Sequence, residues 1–290
     1  MKNKKLSILI ACALVVVIAV VAVISAPLIR NASENSTIRK YTSQNLKNVD
    51  NVILLSHCAE IDGMPNSVAG VKEAVRLGAD AVIVDLCFRM DGTPVITDDY
   101  ENSESATTIE ELFVAMNDDG FKDIIIYLNI VQLSETNKLN TVTINHNMVG
   151  RTFISGIDKT HYGMITTDST IIPFLLKYEL TKEDKDAIAE GSFSAPECIA
   201  EYGASGLEIS AKDATPEVIS ALNDFGIPFI VSGIDSVESF CEPLLNGAST
   251  VFVNDIEKYS KILDDWTISM QERHSISVEQ SLAELKKNKQ

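Results

Sequence analysis

From Asn51 onward the chain alternates between two hydrophobic rhythms. Short apolar runs rich in β-branched residues, "VILLS", "DAVIVDL", "IIIYLNI", "RTFIS", "TIIPFLL", "SGLEIS", "PFIVSG" and "STVFVN", predict eight strands. Between several of them the apolar positions recur at helical spacing. "SVAGVKEAVRLG" ends on Gly78, "TIEELFVAMND" opens with a Thr108/Glu111 capping box, "TPEVISALNDFG" has proline in its first turn and ends at Gly226, and "SVESFCEPLLNG" stops at Gly247. Strands that are apolar along their whole length need cover on both faces, which implies a parallel sheet under helices. Eight βα units in roughly 200 residues predict an α/β fold, a closed (β/α)8 TIM barrel over 51–266, because an open doubly wound sheet usually has fewer strands. Neither Gly-x-Gly-x-x-Gly nor Gly-x-x-x-x-Gly-Lys occurs to argue for a nucleotide fold. The helical period is poor over Leu133 to Gly150, and in the tail, 267–290, "SVEQSLAELKKNK" predicts a helix outside the barrel.

The first residues follow a third pattern. From Leu6 to Ile29 only Ser7, Ser25 and Pro27 interrupt an apolar run. As a helix this run would span roughly 36 Å, against an apolar bilayer thickness of about 30 Å. Lys2, Lys4 and Lys5 precede it, which places the first residues in the cytoplasm and everything after Arg30 outside. Residues 1–30 therefore read as a cytoplasmic stub and single transmembrane helix, 31–50 as a polar linker rich in Ser, Asn and Thr, and the barrel as extracytoplasmic at the cell membrane. A cleaved leader is the rival reading, although leader cores usually run only about 7 to 15 residues.

Charge narrows the partners. The chain has 24 basic against 41 acidic residues, a net of −17. Without the three N-terminal lysines the balance is 21 against 41, or −20. A field of that sign repels phosphate backbones and excludes nucleic acid as a partner. Five cysteines show no Cys-x-x-Cys spacing, so no structural zinc site follows.

In such a barrel, chemistry belongs at the C-terminal strand ends. His57, Asp85, Asn129, Asp158, His161, Glu208 and Asn254 fall there. An ionised carboxylate inside "DAVIVDL" is costly unless paired, so Asp85 requires a polar network or a cation. Cys58 beside His57 does not make a nucleophilic pair, because neighbouring strand residues point to opposite faces. A Cys58–Cys87 disulfide is disfavoured as well, since Cys87 shares a face with Asp85.

Over Val52 to Leu263 the sequence resembles the glycerophosphodiester phosphodiesterase family, TIM-barrel enzymes that cleave glycerophosphodiesters with a divalent metal and two histidines. In that family strand one ends in His-Arg-Gly, the first helix follows Pro-Glu-Asn-Thr, and strand two carries Gly-Ala-Asp-x-x-Glu-x-Asp. An Asp-Gly turn then leads to a second His-Asp, and strand three ends in Glu-x-Lys. Here "LLSHCAE" supplies His57, with Cys58 and Ala59 in place of Arg and Gly. "MPNSV" keeps Pro65 and Asn66, and "GADAVIVD" keeps Gly78, Ala79, Asp80 and Asp85, but the first metal carboxylate is Ile83. After Asp91-Gly92, Thr97 replaces the second histidine ahead of Asp98, and Val131 and Leu133 occupy the Glu and Lys positions of "LNIVQL". The strand-seven Trp and Asn appear as Val231 and Ile234, and only Tyr100 to Ala106 fills the place of the longer insertion that helps wall the family's substrate site.

The resemblance implies a scaffold whose reactive side chains are replaced. His57 is the retained acid or base, insufficient alone, and Asp85 is the remaining metal candidate. His57, Asp85, Asp98, Asn129 and Glu208 are the ligand-binding candidates. Loss of the second histidine removes a proton-transfer group worth about 10² to 10⁴ in rate, and one carboxylate is few for Mg²⁺ or Ca²⁺. The expectation is a non-catalytic member, without a cofactor, that binds a phosphorylated polyol, a lipid head group or a protein. The alternative is an active phosphoric diester hydrolase with a rebuilt divalent-cation site, to which Glu208 and the Asp158/His161 pair would contribute.

Overall fold

The computed structural model describes residues 32–46, 51–58, 63–132, 134, 136–167 and 170–287. The expected transmembrane segment lies outside them, and no described helix is long and apolar enough to cross a membrane. Within the stretch expected as a linker, residues 32–42 form a helix, α1. Its less exposed positions, 34, 37, 38, 41 and 42, recur at helical spacing, a period masked in the sequence by their mostly polar identity. This helix belongs to a first unit ending at Gln44, and everything from Asn45 onward to a second.

The second unit is the barrel. Its parallel strands are β1 (Ile53–His57), β2 (Ala81–Phe88), β5 (Ile125–Ile130), β6 (Thr152–Ile157), β7 (Phe174–Lys177), β8 (Gly206–Ser210), β9 (Phe229–Ser232) and β10 (Thr250–Val253). They pair in sequence order, and β1 closes on both β2 and β10. All eight strands expected from the sequence are present. A short antiparallel extension, β3 (Pro94–Ile96) and β4 (Thr107–Thr108), hangs on the end of β2.

Alternation along each strand sorts the side chains. The inward set packs as one apolar cluster of Leu55, Ala81, Ile83, Tyr127, Leu175 and Ile230, with Phe153 and Phe252 against it. Tyr127 and Phe153 stack with ring centroids 5.3 Å apart. The outward set meets the helices: α2 (Val68–Arg76) buries Val71 and Ala74, α3 (Ile109–Met116) buries Leu112, Phe113 and Met116, and α8 (Pro216–Asp224) buries Val218, Ile219 and Leu222. The capping box read from Thr108 and Glu111 is formed. The remaining helices are α4 (Thr136–Asn145), α5 (Tyr162–Thr167), α6 (Lys182–Ala189), α7 (Ala195–Tyr202), α9 (Val237–Asn246) and α10 (Ile256–Lys287).

The tail is not a separate helix. α10 runs unbroken for 32 residues, so the position taken as the end of the barrel lies inside it. Tyr259, Ile262 and Trp266 are buried at helical spacing along its first turns.

Candidate ligand site at the barrel mouth

The inner apolar layer ends one step below the mouth. On β2 the inward positions are Ala81, Ile83 and Asp85, the first two in the core cluster and the third above it. Asp85 is 3% exposed, so its carboxylate needs partners, and three side chains supply them. His57, at the end of β1, places Nε2 3.1 Å from Asp85 Oδ1 and donates to it when that nitrogen carries the proton. Asn129, in register with Asp85 on β5, donates from Nδ2 to the same oxygen at 2.6 Å. Asn66 donates to Oδ2 at 2.9 Å, while its own carbonyl accepts the Asp85 backbone N–H at 2.9 Å.

Two backbone features hold these amides. Asn66 sits in the left-handed region at φ 41°, which asparagine tolerates better than most residues. Strand β6 is irregular between Ile154 and Ile157, and within that bulge Gly156 has φ +76°. A Cβ at Gly156 would lie 2.2 Å from Asn129 Oδ1, so only glycine leaves room for the carboxamide that reaches Asp85. Beside it the Ser155 hydroxyl, 2% exposed and in register with Asn129, meets no hydrogen-bond partner among the described residues.

Burial pushes the Asp85 carboxyl upward, but the hydrogen bonds from His57, Asn129 and Asn66 outweigh it and hold the group below the usual carboxylate range. Cys58 goes the other way: burial, then the Asp85 charge, raises its thiol to about 12. Cys58, Cys87 and Cys241 are buried and free. Phe252 meets the His57 ring edge-on at 6.0 Å and forms the border to the rest of the mouth.

A cavity of about 710 Å³ opens there over β7 to β10. Lys177, Glu208, Ser210, Ser232 and Asn254 line it from the strand ends, and Lys185, Lys212, Asp213 and Asp235 from the loops and α6. Its polar lining with a few fixed charges suits a small polar ligand.

The expected residues do not all converge. His57, Asp85 and Asn129 come together; Glu208 and Asn254 line the cavity on the opposite arc. Asp98 is exposed beyond β3. Asp158 is engaged within its own loop, where it accepts from the Thr160 hydroxyl at 2.6 Å and lies 2.8 Å from His161 Nδ1, contacts that keep its carboxyl low. Asn66, Gly156 and the lysines of the cavity were missed as site residues. For Asn66 the signal available was its place in "MPNSV".

The donor set does not fit a divalent cation. Both Asp85 oxygens already face N–H groups, which repel a cation, and Ile83 adds only hydrocarbon. Thr97 turns to its own loop, where its hydroxyl accepts the Asp99 N–H at 3.1 Å. Val131 is 44% exposed, and Leu133 lies outside the described residues. Among the described residues no cluster of three or more His, Cys, Asp or Glu side chains could hold a metal ion.

No family model and no curated protein matches the chain. Solved structures do. A protein from Silicibacter pomeroyi described as a glycerophosphoryl diester phosphodiesterase superposes with TM-score 0.59 at 14% identity, over 76% of this chain and 98% of that one. A glycerophosphodiester phosphodiesterase from Parabacteroides distasonis gives 0.55 at 15% identity, over 74% and 97%. A phosphodiesterase from Oleispira antarctica, solved in complex with the product sn-glycerol-3-phosphate, gives 0.53 at 13% identity, over 73% and 96%. The chain shares the closed eight-stranded barrel of these proteins.

Proposed function

We propose that this chain is a glycerophosphodiester phosphodiesterase-family barrel that binds a polyol phosphate at its mouth without hydrolysing it. One observation carries the reading: the retained carboxylate, Asp85, is closed off by His57, Asn129 and Asn66 in a buried network. Phosphodiester cleavage needs charge stabilisation at the phosphoryl oxygens and a group that delivers a proton to the leaving oxygen. Ile83 and Thr97 supply neither. The network instead props the β1–β2–β5 arc of the mouth, while Lys177, Lys185 and Lys212 offer cations to a phosphate and Ser210, Ser232 and Asn254 offer hydrogen bonds to hydroxyls. The Oleispira antarctica complex with sn-glycerol-3-phosphate supports that ligand class by analogy of fold. In the same reading the apolar run Leu6 to Ile29 anchors the chain and the barrel stands on the extracytoplasmic side, supported by the run's length and its basic flank.

The test uses the full chain with glycerophosphocholine or a chromogenic phosphodiester and Mg²⁺, Ca²⁺ or Mn²⁺. The expected result is no turnover, together with saturable protection against thermal unfolding by sn-glycerol-3-phosphate. Metal-dependent turnover abolished by both His57→Ala and Asp85→Ala would establish the hydrolase instead.

A further inference from the structure

A second depression adjoins the mouth. Between α6 and α8 lies a groove of about 320 Å³, mostly apolar in surface, with Leu180, Ile188, Ala189 and Val218 in its walls beside Thr215 and Glu217. It shares Leu180, Lys185, Lys212 and Asp213 with the mouth cavity, so these four residues form the border between a polar chamber and an apolar one. The sequence of α6, KEDKDAIA, explains why the groove is open. Its apolar residues are confined to its end, and none of its residues is buried. An outer helix of a barrel normally buries an apolar stripe against its neighbours. Here the helix is held instead at its start, by the Thr181/Asp184 capping box and by the Tyr178 hydroxyl donating to Asp184 at 3.0 Å. Its apolar end faces α8 across unfilled space.

The order of chemistry along this path is that of an amphiphile. Lys185 and Lys212 line both chambers, where a phosphate joining a polar head to a chain would sit. Asp213, 7% exposed, fixes Lys185 in place at 2.9 Å, and an ammonium has further N–H groups to donate. We propose that mouth and groove together hold a single-chain phospho-amphiphile, its head in the mouth, its phosphate at Lys185 and Lys212, and its chain between α6 and α8. The proposal rests on the mouth being a polyol-phosphate site and adds the chain. A groove at the lower end of the usual pocket range of about 300–1,000 Å³ suits one chain better than two.

The experiment places the full chain in nanodiscs of neutral diacyl lipid and adds lysophosphatidylglycerol carrying a diazirine on its acyl chain. After irradiation, adducts are mapped by mass spectrometry. The expected adducts fall on Leu180, Ile188, Ala189 or Val218, and are suppressed by unlabelled lysophosphatidylglycerol but not by dodecyl maltoside. Ala189 is exposed on α6, so Ala189→Trp fills the groove without entering the core. It should cut this labelling about tenfold or more, the loss that goes with a few unburied methylenes. Protection against unfolding by sn-glycerol-3-phosphate should survive in the variant. Adducts only elsewhere, equal suppression by dodecyl maltoside, or labelling unchanged in Ala189→Trp would overturn the proposal. Protection by sn-glycerol-3-phosphate without groove labelling defeats the chain site alone; groove labelling without that protection defeats the head-group reading of the mouth.

Discussion

Asp85→Asn separates a closed network from a damaged metal site, because the two readings give opposite signs for stability. The change keeps the shape of the side chain and exchanges one acceptor oxygen for a donor. If the new NH2 takes the place of Oδ2, it faces Asn66 Nδ2, now 2.9 Å from that oxygen. Asn66 cannot simply flip, since its carbonyl accepts the backbone N–H of residue 85 at 2.9 Å. If the NH2 takes the place of Oδ1 it faces Asn129 Nδ2 and loses that contact, while the His57 contact survives in the tautomer whose Nε2 accepts. One buried donor left unpaired costs about 1–3 kcal/mol, and the surviving bonds lose their charge assistance, about another 1 kcal/mol. The expected total is about 2–4 kcal/mol. For a domain of this size that lowers Tm by about 5–15 °C. Trp266, the single tryptophan and fully buried, reports unfolding by fluorescence. In a double-mutant cycle with Asn66→Ala the two losses should fall short of additivity by about 1 kcal/mol or more. A repulsive, empty metal site predicts the reverse: an unchanged or higher Tm in Asp85→Asn, and a rise in wild-type Tm with Mg²⁺ or Ca²⁺ that the variant loses. Either result would refute the network.

Gly156→Ala should destabilise by about 1–2 kcal/mol through its left-handed backbone, and further by driving Asn129 off Asp85. In the Asp85→Asn background the second part should shrink, which a thermal-melt comparison checks. Because the folded Asp85 carboxyl lies below its unfolded value, its contribution to stability is present above about pH 4 and is lost as pH falls through the folded value. Urea melts of wild type and Asp85→Asn between about pH 6 and pH 3 should therefore converge on the acid side, and parallel curves would count against the network. With its thiol raised to about 12, mainly by burial, Cys58 should resist iodoacetamide at about pH 8 in the native chain and react in urea. Peptide mapping that finds rapid native labelling at Cys58 would contradict its placement.

The barrel was legible because its strands are apolar throughout and its helices carry ordinary caps, so rhythm alone supplied order and direction. The helix over Thr136–Asn145 was not, and its buried stripe shows why. That stripe is Thr136, Leu139, Asn140 and Thr143, helical in spacing but mostly polar. Thr143 returns its hydroxyl to the Leu139 carbonyl at 2.8 Å, and the Asn140 side-chain oxygen accepts the Ile171 N–H at 3.2 Å. Hydrogen bonds there replace hydrocarbon, and no hydrophobic period marks the helix.

The site divides along the same line. That Asp85 must have a partner follows from one carboxylate in an apolar strand, and His57 and Asn129 fall at the right strand ends to reach it. The third partner, Asn66, arrives from a loop at a positive φ, and the room for Asn129 comes from a glycine on the neighbouring strand. The first depends on a single loop residue's backbone and the second on how a bulge in β6 turns, neither of which periodicity or motif spacing encodes. Register against the family that the sequence resembles directs attention to Ile83 and Thr97. It does not point to the amides of Asn66 and Asn129, which close on Asp85. Closure follows once Ile83 joins the apolar layer beneath: with hydrocarbon below, a 3% exposed carboxylate is stable in that position while the N–H groups of its neighbours surround it.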